Sequence, residues 1–171
     1  NGDLVTFEEP PTRIVVYDAG AVETLFRLDQ GHRIVGTHSF VTYPPEVEDI
    51  PKVGDAFNAD IETIVALEPD LVYIFYSGFI EQMENVGLTT LYIESLNDDF
   101  IRTINNFEMW GRITGATSAA QDLSTDFMDR SRTVSAILEN QPPGPSVLWD
   151  EWQLFAPGPD TLVGNVLDLL K

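Results

Sequence analysis

Short apolar runs alternate with stretches of helical spacing along the first hundred positions. Arg13 to Tyr17 (RIVVY), Arg33 to Thr37 (RIVGT), Leu71 to Phe75 (LVYIF) and Thr90 to Ile93 (TLYI) are rich in β-branched and aromatic residues and predict strands. Gly20 to Leu28, Asp60 to Leu67 and the region from Phe79 to Val86 predict the helices between them. Ile61, Ile64 and Val65 share one side of the middle helix, and Pro69 stops it. Strands that are apolar throughout, separated by helices, imply a parallel sheet covered on both faces.

The pattern changes after Asp98. Ile101, Ile104, Phe107 and Trp110 recur at helical spacing, as do Leu123, Phe127, Val134 and Leu138. Gly111 and Gly115 suggest a break between two helices. The second, from Ser118 to Glu139, should be about 33 Å long at a rise of 1.5 Å per residue. Pro142-Pro143-Gly144-Pro145 ends it. A strand from Ser146 to Trp149 and a helix near Thr161 to Leu170 follow, too little to bury a core of their own. The expected fold is α/β: a parallel sheet flanked by helices (1–97), helices including one long helix (98–141), and the beginning of a second α/β unit (142–171).

Composition narrows the function classes. The chain of 171 residues carries 28 acidic and 9 basic side chains, a formal net charge of −19. Such a field repels phosphates, so no nucleic acid partner is expected. It suits a cationic ligand, a basic docking partner, or simply a well-solvated surface. There are no cysteines, hence no disulfides or thiolate metal sites. No run approaches the roughly 20 apolar residues of a membrane span. The GxSxG, P-loop, HExxH and strand-linked GxGxxG patterns are all missing, and the only histidines are His32 and His38. No catalytic residues and no cofactor are therefore expected.

RIVVYDAGAVETLF, RIVGTHSFVTYPPE and IPKVGDAFNADIETIVALEPDLVYI follow one another in an order and spacing that resemble the cluster A (class III) periplasmic binding proteins of iron-siderophore, haem and cobalamin ABC importers. The likeness runs from about Val5 to Leu170. It implies the N-terminal lobe of a bilobal binding protein, a long interlobe helix and a second lobe interrupted by the end of the chain. It also implies an extracytoplasmic location, with membrane association only through a permease or a lipid anchor removed upstream. The implied ligand is a metal chelate, a ferric siderophore first and cobalamin or haem next. The implied partner is an ABC permease. A sensor or scavenger without a transporter remains the alternative. This stretch alone is expected to bind weakly, because half of the cleft wall is absent.

Ligands of open α/β sheets sit outside the carboxyl ends of the strands. Tyr17 and Asp18 end the first strand, where Asp18 is either a ligand contact or a helix N-cap. His38 and Phe40 follow the second; His38 is a cleft residue, a loop-packing residue or, as an isolated imidazole, a weak metal candidate. Tyr43 is expected to pack structurally before Pro44. Phe57 suits stacking on a planar chelate, although some cobalamin binders carry Trp in this loop. Asn58 is a ligand contact or a cap. Tyr76 and Ser77 follow the third strand and Glu94 the fourth, and Trp152 is the opposing-wall candidate. No metal site is assigned. Glu62 lies about 100° from the apolar stripe and should be exposed; the resemblance implies that it docks the lobe to permease arginines.

Overall fold

The computed structural model describes residues 6–93, 100–139 and 161–170, with positions 141, 142, 144, 148, 149 and 158. Strands β1 (Ile14–Val16), β2 (Ile34–Thr37), β3 (Leu71–Ile74) and β4 (Thr90–Tyr92) form one parallel sheet in the order β2-β1-β3-β4. The helices are α1 (Ala19–Arg27), α2 (Ile61–Ala66), α3 (Ile80–Asn85), α4 (Phe100–Thr114), α5 (Thr117–Leu138) and α6 (Leu162–Leu170). Each strand and helix expected before residue 140 is therefore present, within a few residues at its ends. Short 3-10 turns at Gly31–Arg33, Pro45–Asp49 and Ser77–Phe79 were not anticipated. In the region expected to open a second unit, Ser146 and Val147 lie outside the described residues, and Leu148 and Trp149 are described without strand structure.

The alternation of side chains along a strand divides the core into two layers. Ile14, Val16, Leu71 and Tyr73 face Ala21, Val22 and Leu25 of α1, together with Trp110 of α4 and Ala120 of α5. Val15, Tyr17, Val72 and Ile74 face Ile64 of α2, Phe79 and Met83 of α3. All seven strand residues and Tyr17 are buried, and each aliphatic one contributes about 1.5–3 kcal/mol. Because Trp110 and Ala120 belong to the first layer, the helices after residue 98 cover this sheet as well as lead away from it.

Two local devices fix the layers. Asp70 accepts hydrogen bonds from Thr12 N and Oγ1 (2.7 and 3.0 Å) and from Arg13 N (3.0 Å), anchoring the entry to β1 beside the entry to β3. The Arg13 guanidinium donates to the carbonyls of Leu67 (3.0 Å) and Glu68 (3.1 Å), placing a cation at the carboxyl end of α2, where the helix dipole is negative. The expected helix break falls at Gly115 alone, with φ of 78°. Gly111 lies inside α4, where an added Cβ would stand 2.4 Å from that of Ala120. Its missing side chain lets α4 and α5 cross closely, and Phe107 and Phe127 meet edge to face at 5.8 Å farther along.

Candidate functional site

Strand order reverses at β1: β2 lies on one side, β3 and β4 on the other. The loops leaving β1 and β3 must therefore diverge, which opens a crevice at the carboxyl ends of the strands. Asp18 stands at the first loop and Phe75, Tyr76 and Ser77 at the second. The segment after β2 joins them. Thr37 N donates to Pro51 O (3.1 Å), Val53 N to Thr37 O (3.0 Å) and Ser39 N to Gly54 O (2.9 Å), which draws the 51–58 loop alongside the end of β2.

The loop from Gly54 to Asn58 is built to present Phe57. Gly54 has φ of 108°, and a Cβ there would lie 2.1 Å from the Asn58 carbonyl oxygen, so only glycine fits. Asp55 Oδ1 accepts from Phe57 N (2.8 Å), Asn58 N (2.9 Å) and Asn58 Nδ2 (3.1 Å). These bonds, the Phe57 amide first, hold the Asp55 carboxyl below its usual pKa. Asn58 is thus a turn-forming residue with its amide engaged, and Phe57 stands 67% exposed.

Tyr76 is 44% exposed and meets Phe57 edge to face at 6.3 Å. Its ring lies over Gly78, where an added Cβ would stand 2.5 Å from Cε1 and 2.7 Å from Cζ. Ser77 is exposed beside it. From Tyr76 a series of rings passes inward through Phe79 (5.3 Å), Tyr17 (5.2 Å) and His38 (6.0 Å) and out again to Phe40 (6.0 Å). Phe40 is 65% exposed. An exposed aromatic rim therefore rests on a buried aromatic foundation. Substituting Gly78→Ala is expected to evict the Tyr76 ring while lowering the melting temperature by only a few degrees, because the clash is with a side chain that can swing aside. Loss of nuclear Overhauser contacts between Tyr76 and Phe79 in a folded variant is the measurement.

Three expected ligand contacts are reassigned. Tyr17 is wholly buried; its hydroxyl donates to the Val53 carbonyl, and burial raises its pKa, with the Asp60 and Asp55 charges adding to the rise. It is a foundation ring, because a strand inside a doubly covered sheet carries its last residue inward. His38 is also buried. Nδ1 accepts from Phe40 N (3.2 Å), which engages that nitrogen within the loop. Asn58 is corrected as above. Asp18 caps α1 by accepting from Ala21 N at 2.6 Å and is half-buried at the crevice. Tyr43, expected to pack, is instead 62% exposed. Lys52 Nζ donates to Val41 O (3.1 Å) and Val47 O (3.2 Å), pinning the loop that carries Phe40 and Tyr43. Sequence reasoning missed this residue; one of only two lysines in so acidic a chain was the available signal. Glu62 is exposed in the first turn of α2, behind the Asp60 N-cap. Glu94 and Trp152 lie outside the described residues.

The sheet is a doubly wound parallel arrangement with its switch point at β1. The chain belongs to the periplasmic binding protein family, whose model matches residues 14–171. It is similar to the uncharacterized ABC transporter substrate-binding lipoprotein YvrC of Bacillus subtilis (strain 168), with 27% identity over 97% of this chain and 56% of that protein. It is 23% identical to a cobalamin-binding protein of Halobacterium salinarum, over 96% of this chain and 46% of that one. The chain thus spans about half the length of these two relatives. In fold it is similar to a possible iron-binding periplasmic solute-binding protein of Staphylococcus epidermidis, with a TM-score of 0.80 and 21% identity over 95% of this chain and 66% of that one. It also matches the periplasmic vitamin B12 binding protein BtuF of Vibrio cholerae, with a TM-score of 0.75 and 18% identity over 94% and 64%. The periplasmic or lipoprotein names of these relatives agree with the expected extracytoplasmic location. Among the described residues no helix is long and apolar enough to cross a membrane.

Proposed function

We propose that this chain supplies one wall of a non-catalytic solute-binding protein, which captures a metal chelate between two lobes and delivers it to the permease of an ABC importer. In this reading residues 1–97 form the first lobe, 98–141 link it to the second, and 142–171 begin that second lobe. The observation that carries the reading is the rim of Phe40, Phe57 and Tyr76 at the strand tips, exposed although a folded chain ordinarily covers such rings. Ring faces held in place by buried rings suit a large, flat, rigid ligand, since little side-chain freedom is lost on binding.

The chemistry of this wall also orders the ligands. Arg13 and Arg33 precede β1 and β2, at the opposite end of the sheet, and Lys52 is engaged with two carbonyls. The wall offers rings, amides and carboxylates. That favours a neutral or cationic chelate over an anionic one, so a corrinoid is placed before a ferric siderophore, reversing the order expected from sequence. The names of the Halobacterium and Vibrio relatives support the same order.

Mass spectrometry of the small molecules retained by the protein as its own cells produce it tests this directly. A corrinoid is expected; an anionic ferric siderophore as the retained species would overturn the ligand assignment. With cyanocobalamin as the probe, Phe57→Ala and Tyr76→Ala should each weaken binding about 5- to 10-fold, the scale of a lost aromatic contact. Unchanged affinity in both variants would remove the rim from the site.

A further inference from the structure

The sequence leaves His38 between a cleft role, loop packing and weak metal ligation, and the structure gives it a definite task in the loop. The imidazole sits beneath the rim, with Tyr17 stacked at 6.0 Å and 27°, Phe40 edge-on at 6.0 Å and 79°, and Phe75 tilted at 6.4 Å. Nδ1 accepts the Phe40 amide N–H at 3.2 Å. An imidazole nitrogen that accepts carries no proton, so this bond requires the neutral ring with its proton on Nε2. A proton added at Nδ1 would point at the amide hydrogen, and two donors cannot share one bond. Phe40 is the rim residue held by this contact, on a loop whose next residue, Val41, is held by its own N–H to the His38 carbonyl (3.1 Å) and by Lys52 at its carbonyl.

We propose that His38 is a positioning residue for the rim, seating Phe40 through an Nδ1 acceptor that is available only while the ring is neutral. The groups around it agree. Burial disfavours the charged ring most strongly; the Asp18 carboxylate opposes that, Lys52 reinforces it, and Asp55 and the Tyr17 backbone oppose it again, leaving the pKa below the usual 6.5. The neutral form therefore holds at pH 7. A group whose pKa falls on folding stabilises the fold fully only above its unfolded value, here 6.5. That contribution declines as pH drops below 6.5 toward the folded value. Acidification should thus loosen Phe40 and its loop before the rest of the lobe. The positioning role is independent of the ligand; only its consequence, weaker capture in acid, rests on the function proposed above.

The test follows the Phe40 amide in the full chain by NMR from pH 7.5 to 5. Ring nitrogen shifts should report an unprotonated Nδ1 at pH 7.5. Protection of the Phe40 amide from hydrogen exchange, corrected for the intrinsic effect of pH, should fall about five-fold as His38 titrates, the scale of one lost hydrogen bond. His38→Asn supplies a side-chain oxygen acceptor that does not titrate in this range and should give protection that is flat with pH. His38→Leu, with no acceptor, should be unprotected throughout; if it does not fold, the wild-type titration and the Asn variant decide the matter. A proton on Nδ1 at pH 7.5, wild-type protection that ignores the titration, or a pH step that persists in His38→Asn would each overturn the proposal. Cyanocobalamin affinity measured alongside separates the two readings. If the amide responds and capture does not, the positioning role stands and the rim loses its place in binding.

Discussion

Trp110→Ala should lower the stability of this chain by about 3–5 kcal/mol, the usual cost of removing a buried aromatic side chain from a packed core. Trp110 is the largest fully buried side chain among the described residues, and its ring meets Tyr73 of β3 edge to face at 5.0 Å. It is the fully buried side chain that α4 sets against the sheet, with Met109 and Ile113 partly buried beside it, so its loss removes a contact between layers and not merely volume within one. Equilibrium denaturation monitored by far-ultraviolet circular dichroism measures the change. For a chain of this size the melting temperature should fall by about 10 °C. A loss below about 1 kcal/mol would mean that α4 is dispensable to the sheet, against the continuous core that joins β1, β3, α1 and α4.

The second large effect follows from the proposed delivery to a permease. Glu62→Arg is expected to abolish ligand uptake by cells carrying the complete importer while leaving ligand affinity and folding nearly unchanged. The side chain is exposed on α2 and shares a helical face with Val65, 44% exposed, and Ala66, also exposed, at the following i+3 and i+4 positions. A carboxylate beside a small apolar patch is well suited to a charge-assisted contact from which water is excluded. Truncating one partner of such a pair costs about 2–5 kcal/mol, so docking should weaken by more than about 30-fold and reversal of charge should do more. The cost to the fold is only that of a cation in the first turn of a helix, below about 1 kcal/mol. Uptake that survives Glu62→Arg at the wild-type rate would remove this glutamate from the docking surface.

Much of this architecture could be read from residue spacing because each element is reinforced more than once. IVVY and LVYIF are apolar throughout, and the structure buries β1 and β3 on both faces. Pro69 and the Asp70 clamp end α2 where the pattern stops. The miss at Gly111 has a clear cause: a glycine marks either a break or a close approach, and only the position of Ala120 distinguishes them. Val65 shows a similar limit. It was placed with Ile61 and Ile64, yet α2 is six residues long and presents a narrow strip, led by Ile64, to the core.

The site was less legible than the fold. Strand order places Asp18, Phe40 and Tyr76 just after strand ends, and Phe57 comes alongside through the 51–58 loop. Which rings face outward does not follow from that order. Tyr17 and Tyr76 each follow a buried strand by one or two residues, but Tyr17 continues the alternation of β1 into the core while the 3-10 turn after Tyr76 lifts its ring over Gly78. From sequence, His38 is open to a cleft role, loop packing or weak metal ligation; here its Nδ1 hydrogen bond serves the loop. Lys52 escaped notice because its partners are backbone carbonyls, which leave no mark in a sequence.

The most direct test is to map where a planar chelate touches the protein. With carbon-13-labelled Phe and Tyr rings, titration with cyanocobalamin should shift the signals of Phe40, Phe57 and Tyr76 together, with smaller responses from buried Tyr17 and Phe79 behind them. Shifts confined to Phe107 and Phe127 on α4 and α5, with those three rings unmoved, would place the ligand elsewhere and contradict the account.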